Sequence, residues 1–433
     1  MKRSAATLSP RPALALGFAL LLSASMYFYV QYLLIPYQRT YASTHDIPRG
    51  NLSDLYPRWL GARALLLDHR DPYAAELTRE IQVGYYGRPL DPARPEDPRD
   101  QQAFAYPVYV VLLLFPTVKL PFNTVQFGFR WLLIGLALIT LLFWLRAFRF
   151  RVRPSTLAIA GMLTLSSFPV VQGIKLQQMS LLVSGMIAGC IVLLVEGQLL
   201  AAGVLLALAT IKPQLVVLLL AWLFLWALGD WEHRRRLVWG SLGALAVLFA
   251  VSEYVLPGWI GRFLHALEAY RQYNDGARSV LEVLVTPLWG MVLTALVVLA
   301  LAVICWRHRR VPSDSVLFGW ITALVLASTV LIAPKTSPYN QVLLLPGVLL
   351  VIQRWPALWT ERRVTRVILL SFGLVLAWPW LAALFLTLAS LVVPTATLQK
   401  AWAVPLYTSL AIPVIEFVIL QLGTAKLGPE QPS

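Results

Sequence analysis

Long apolar runs separated by short polar clumps dominate the pattern of this chain. Most of the runs are apolar all round, with no polar face to turn to water, so they read as helices solvated by lipid. Twelve can be marked off, at about 13–36, 124–147, 155–172, 177–195, 198–211, 213–229, 237–256, 286–306, 315–333, 340–353, 367–388 and 402–422. Two of them, 198–211 and 213–229, are short and meet at Ile211-Lys212-Pro213-Gln214. Proline does not continue a helix, so this pair predicts a hairpin whose tip need not reach the far surface. A polar stretch of 68 residues, 37–104, follows the first run. The next apolar piece, 106–120, is fifteen residues long and contains Pro107 and Pro116. It is too short to cross a bilayer and predicts an interfacial or re-entrant helix.

The arginines orient this pattern. Clusters at Arg146, Arg149, Arg151 and Arg153, at Arg234, Arg235 and Arg236, at Arg307, Arg309 and Arg310, and at Arg354, Arg362, Arg363 and Arg366 all fall on one side. That side is the cytoplasm by the positive-inside rule, with both termini inside. Lys2, Arg3 and Arg11 precede a first run too long for a cleaved signal sequence, which predicts an uncleaved signal anchor. The expected fold is an all-α polytopic membrane protein of about twelve transmembrane helices. It has one transmembrane domain over 1–423, an extracytoplasmic region at 37–120 with interfacial helices, and a cytoplasmic polar tail at 424–433. The expected location is a bacterial plasma membrane, as a multi-pass protein.

Composition agrees: 58% of the residues are hydrophobic and 13% charged, about half the charge of a soluble domain. The formal charge of +15 does not line one face of a folded domain, so no nucleic-acid partner is expected. Cys190 and Cys305 lie inside apolar runs and read as packing residues. The five histidines show no metal-ligand spacing, and the sixteen tryptophans read mostly as interfacial anchors. No P-loop, glycine-rich nucleotide fingerprint or nucleophile elbow is present, which argues against a soluble nucleotide donor.

Chemistry concentrates in the first loop. Ten of the 21 acidic residues lie between Asp46 and Asp100, with nine arginines in the same loop. From Leu52 to Leu67 the apolar positions Leu55, Trp59, Ala62 and Leu66 recur at helical steps. Ser53 and Asp54 open that helix, so Asp54 reads either as a helix cap or as a functional carboxylate. Asp71 opens Asp-Pro-Tyr, a turn signal.

The stretch Ser53-Asp54-Leu55-Tyr56-Pro57-Arg58-Trp59-Leu60-Gly61-Ala62-Arg63-Ala64, followed by Arg70-Asp71-Pro72-Tyr73, resembles glycosyltransferase family 87. Phe104-Ala105-Tyr106-Pro107 with Pro116 and Leu120-Pro121 is similar to that family's proline-rich element, with Val108 where a second proline is common. Ile211-Lys212-Pro213-Gln214 matches its Lys-Pro-Gln turn, and the segment from Pro334-Lys335 to Asn340 resembles its late outer loop. The resemblance implies a C-type glycosyltransferase fold and an enzyme that moves a sugar, typically mannose, from a polyprenyl-phosphate carrier to a lipid or glycan hydroxyl. It implies an inverting single displacement outside the cytoplasm.

Phosphate departs as a stabilised anion, so such a reaction needs one carboxylate base and cations for the leaving group. Asp54 matches the family's early acidic position and is the candidate base. Lys212, with Lys335 and Lys175 behind it, is the candidate phosphate contact, and Arg58 and Arg63 follow Asp54 by one and two turns. Tyr106, Gln178, Tyr339 and Asn340 complete the candidate substrate-binding set, with Gln177 beside it. The first loop has no Asp-x-Asp pair, so no metal and no cofactor are expected. Partners are the lipid-linked sugar, its acceptor and membrane lipids. The competing readings are a twelve-span transporter of a small solute, for which two similar halves are lacking, and a glycan polymerase or ligase, which would carry its large loop late.

Overall fold

The computed structural model describes residues 12–45, 53–94, 97–273, 278–334 and 336–424. Among them all regular structure is helical. α1 (Pro12–Thr44) is one long helix. The first loop then carries α2 (Leu55–Asp68), α3 (Ala75–Tyr86) and the five-residue α4 (Val110–Leu114). The bundle continues with α5 (Phe122–Ala147), α6 (Pro154–Ser166), α7 (Phe168–Lys175), α8 (Met179–Val195), α9 (Leu199–Ala209), α10 (Val217–Leu228) and α11 (Trp231–Val255). After α12 (Trp259–Tyr273) and α13 (Val280–Leu284) come α14 (Pro287–Arg307), α15 (Val316–Ile332), α16 (Leu345–Trp359), α17 (Arg363–Ala389) and α18 (Ala411–Thr424).

Seven segments are long and apolar enough to cross a membrane: α1, α5, α11, α14, Pro338–Trp359, α17 and Thr395–Thr424. An eighth results if α6 and α7, bent by 55°, form one span. This is fewer than the twelve expected from apolar runs. The remaining runs fall on α8, α9, α10 and α15, each of seventeen residues or fewer. At 1.5 Å per residue, α9 and α10 reach about 17–18 Å, short of a hydrocarbon core of about 30 Å. Continuous apolarity marks a segment as shielded from water, but it does not separate a span from a helix enclosed by other helices.

α15 is such an enclosed helix, with every residue from Leu317 to Leu331 buried. Its hydroxyls stay inside it: Ser328 and Thr329 donate to the carbonyls of Leu324 (2.8 Å) and Val325 (2.9 Å). The outer helices show the opposite pattern. Leu288, Trp289 and Leu299 on α14, and Val367 and Leu374 on α17, stand exposed in rows that only lipid would solvate. Six tryptophans, Trp59, Trp144, Trp222, Trp226, Trp259 and Trp320, are core residues rather than interfacial anchors.

Three details differ from the sequence reading. α1 runs eight residues past 36 because a π turn at Tyr29–Leu34 directly precedes Pro36. A wider turn accommodates the carbonyl that proline would otherwise clash with. Piece 106–120 is α4 plus the 3-10 turn Phe115–Thr117. α11 begins at Trp231, ahead of the arginine cluster, and takes in Arg234, Arg235 and Arg236. There Arg234 is buried, stacks on Trp226 at 4.0 Å and donates to the carbonyls of Trp226, Arg309, Arg310 and Val311. The tail from 425 and the basic residues before 12 lie outside the described residues.

Candidate active site

The candidate residues gather at the end of the bundle opposite the arginine clusters, where four connections meet. α2 supplies the first. Asp54 stands at its N-terminus, yet its side chain makes no capping hydrogen bond. The backbone there is pinned from outside, with the Asp54 N–H donating to the Leu176 carbonyl at 3.1 Å. Ser53 donates to Gln177 Oε1 at 2.5 Å, and Gln177 Nε2 donates to the Gln126 carbonyl at 2.5 Å. Both ends of the Gln177 amide are thus spent on holding the α7–α8 connection to the start of α2.

With the helix start held by other groups, the Asp54 carboxylate points into a polar nest. Oδ2 accepts from Gln178 Nε2. Oδ1 lies 3.5 Å from both the Tyr85 hydroxyl and Gln102 Nε2. The other end of the Gln178 amide, Oε1, accepts from Lys212 Nζ at 3.4 Å. An amide between a carboxylate and an ammonium can face only one way, so Gln178 links the two charges. Lys212, buried in the break between α9 and α10, also donates to Ser180 Oγ (2.6 Å) and Asn340 Oδ1 (3.1 Å). It sits 4.9 Å from the centre of the Tyr339 ring. An ammonium at this depth needs such partners, because an unpaired charge in a low-dielectric interior is costly.

Arg58, one turn beyond Asp54, donates to the Asp54 carbonyl and stacks 4.5 Å over Tyr106. Burial alone pulls its guanidinium down, but Tyr106, Asp54, Tyr270 and Tyr339 around it outweigh that and raise it. It stays a fixed cation. Arg63 instead ties α2 to the following segment by donating to the Val118 carbonyl at 2.9 Å. Asp71 behaves as the turn its sequence predicts, accepting from the Tyr73 N–H at 2.9 Å, and also pairs with Arg262 of α12 at 2.6 Å. Tyr270 of α12 donates to Asp100 Oδ1 at 3.0 Å, so α12 closes one side of the nest.

The model of glycosyltransferase family 87 matches residues 104–334, just over half of the chain. The chain belongs to glycosyltransferase family 87. No curated protein and no solved structure matches it. Family 87 membership makes the protein an enzyme that transfers sugars, and its apolar helices make it a multi-pass membrane one. The transporter reading has no such support. The family 87 match takes in Tyr106, Lys175, Gln178 and Lys212, and stops short of Asp54, Arg58, Tyr339 and Asn340.

Of the expected residues in this family 87 chain, Asp54, Arg58, Tyr106, Gln178, Lys212, Tyr339 and Asn340 come together in one nest. Lys175 ends α7 and bonds Gln38 of α1, on the flank of the nest. Lys335 lies outside the described residues. Gln102, Ser180, Tyr85, Asp100 and Tyr270 were not foreseen. Ser180 stands three residues past Gln177 at the mouth of an apolar run, and a polar residue there is the only sequence sign of it. Among the described residues no three His, Cys, Asp or Glu side chains converge as metal ligands do.

Proposed function

We propose that this glycosyltransferase moves a sugar, mannose in the first instance, from a polyprenyl-phosphate carrier to a hydroxyl acceptor at the outer face of the plasma membrane. Asp54 is the general base. In the displacement Asp54 takes the proton of the acceptor hydroxyl, and that oxygen bonds to the anomeric carbon. The bond from that carbon to the phosphate oxygen breaks on the opposite face, and the electron pair leaves with the lipid phosphate. Configuration inverts. Lys212 exchanges one of its neutral partners for a phosphate oxygen, and Arg58 supplies a second positive charge beside the base. Two protein cations stabilise the leaving anion without a metal.

The observation that carries this reading is the Asp54–Gln178–Lys212 chain, a carboxylate excused from helix capping and bridged to a buried ammonium. A second feature supports a lipid-linked donor. An apolar cavity of about 1420 Å³ runs between α1, α5, α6 and α17, and its lining includes Leu181, Ser184, Gln341 and Val342. Leu181 and Gln341 directly follow Ser180 and Asn340, which hold Lys212. A prenyl tail fits that cavity with its phosphate at the nest. The whole arrangement accords with a C-type fold of twelve membrane-embedded helices, the short α9 and α10 included. The position of the nest opposite the arginine clusters supports an extracytoplasmic site.

Purified protein offered a panel of polyprenyl-phosphate sugars should release lipid phosphate from one of them. Asp54→Asn should cut that rate by about 10²- to 10⁴-fold while the donor still binds. Near-normal turnover in Asp54→Asn removes Asp54 from the role.

A further inference from the structure

The amide of Gln102 is held in a way that leaves one of its atoms idle. Its Nε2 is shared between Asp100 Oδ2 at 3.1 Å and Asp54 Oδ1 at 3.5 Å. Were the amide turned round, its oxygen would face two carboxylates, so the NH₂ must lie on that side. Oε1 is then fixed on the other edge. There it is fully buried and has no hydrogen-bond partner. Gln102 is 5% exposed and sits at φ 50°, a left-handed conformation that a residue with a side chain seldom adopts. Strain of this kind persists where surrounding structure enforces it, and here it aims the amide beside Asp54.

Arg58 carries the complement. Its Nη1 bonds the Asp54 carbonyl, while its Nε–H is buried and unpartnered. One free acceptor and one free donor thus belong to two residues that bond the same aspartate, Gln102 through its carboxylate and Arg58 through its backbone carbonyl. Buried polar groups are almost always paired, and the group that satisfies both at once is a hydroxyl, which donates to the amide oxygen and accepts from the guanidinium.

We propose that Gln102 Oε1 and Arg58 Nε together bind the hydroxyl on the sugar carbon next to the anomeric centre, and so select the sugar that is transferred. This rests on the glycosyl-transfer reading above. The acceptor oxygen must touch both Asp54 and the anomeric carbon at about 3–3.5 Å. The hydroxyl one carbon away therefore falls among the neighbours of Asp54, where Gln102 and Arg58 are.

The test compares the preferred polyprenyl-phosphate sugar with its 2-deoxy analogue in wild type, Gln102→Met and Arg58→Lys. The ratio between the two donors, compared across variants, cancels the greater intrinsic reactivity of the deoxy sugar. Wild type should prefer the hydroxylated donor by roughly 10- to 100-fold in kcat/KM, and each variant should shrink that preference towards unity. Should Gln102→Met fail to fold, Arg58→Lys, which keeps the charge and removes Nε, gives the same reading. A preference left intact in a folded variant overturns the proposal. A donor ratio that is the same in wild type and in both variants also overturns it and leaves the transferase reading standing. Turnover of no lipid-linked sugar by wild type overturns both.

Discussion

An aspartate at a helix start normally turns its carboxylate back onto the N–H groups of the first turn. Asp54 does not, because Leu176, Ser53 and Gln177 fix the chain there by other bonds. Its acceptor capacity goes to Gln178, Tyr85 and Gln102 instead. Under the proposed reaction Gln178 positions Asp54, and its effect should pass through that carboxylate. Gln178→Leu removes one bond to a carboxylate and one from an ammonium, each worth about 1.5–3 kcal/mol, so kcat should fall at least 10-fold. In an Asp54→Asn background the same change should cost little more, since residues acting as one unit are not additive. Equal losses in both backgrounds, read by single-turnover kinetics, would assign Gln178 a role apart from the base. The sequence exposed Asp54, Lys212 and Gln178 by their place beside turns. It did not expose Gln102, because a bond between residues 48 apart leaves no local periodicity to detect.

Between elements, glycines set how closely the parts of the site approach. Gly61 on α2 faces the Phe104 ring so tightly that a Cβ would lie 2.3 Å from it. Phe104 is buried and two residues from both Gln102 and Tyr106. Gly61→Ala should therefore displace the 102–106 segment from α2, costing about 1–3 kcal/mol of overpacking and lowering activity more than donor binding. Assay of kcat against donor affinity tests this, and an unchanged kcat would refute it. In the bundle, Gly203 on α9 meets the Leu237 carbonyl at 2.3 Å from its would-be Cβ, and Gly240 on α11 meets the Leu200 carbonyl at 2.4 Å. Small residues let membrane helices pack backbone to backbone. Here they dock α9, which ends at the Lys212 turn, onto the long α11. The sequence announced the Lys212 break through Pro213, but not this docking, since a glycine in an apolar run has several possible reasons.

The first loop has its own acid-sensitive clasp. Asp97, its side chain 2% exposed, accepts from Arg88 at 2.9 Å and from the Asp91 N–H at 2.7 Å. The bond from Arg88 holds its carboxyl below the usual carboxylate range; burial opposes this, while the Asp91 amide and the charges of Arg88 and Arg94 assist. A depressed carboxyl contributes stability that is present above its unfolded pKa and is lost as pH falls through the folded one. Pepsin nicking of the Gly87–Asp97 arm should accordingly rise below about pH 4, and Asp97→Asn should be nicked readily across the whole range. A flat profile in wild type would mean that the clasp does not hold the arm.

On the scale of the whole molecule, long helices with lipid-facing rows pack around shorter ones, of which α15 is enclosed while α9 and α10 keep exposed apolar residues such as Leu200 and Val217. α9, α10 and α15 meet the site at their ends, beside Lys212 and before Asn340, and so deliver two of its residues. Apolar runs marked off twelve segments, of which seven, or eight with the bent pair, are long and apolar enough to cross a membrane; hydropathy carries no depth, so a shorter enclosed helix such as α15 passed for a span. Arginine clusters and the polar first loop lie at opposite ends, the pattern from which the positive-inside rule reads orientation. The clusters also have structural work, as Arg234 caps the α14–α15 connection, so their charge count alone is not a safe guide to sidedness. Labelling settles the point. Glu76 in the first loop and Arg235 on α11 are both exposed, and the native Cys190 and Cys305 are buried, leaving little background. Glu76→Cys should react with a membrane-impermeant maleimide in intact cells, and Arg235→Cys only after permeabilisation. The reverse pattern would put the Asp54 nest in the cytoplasm, where a carrier displaying its sugar on the outer face could not reach it.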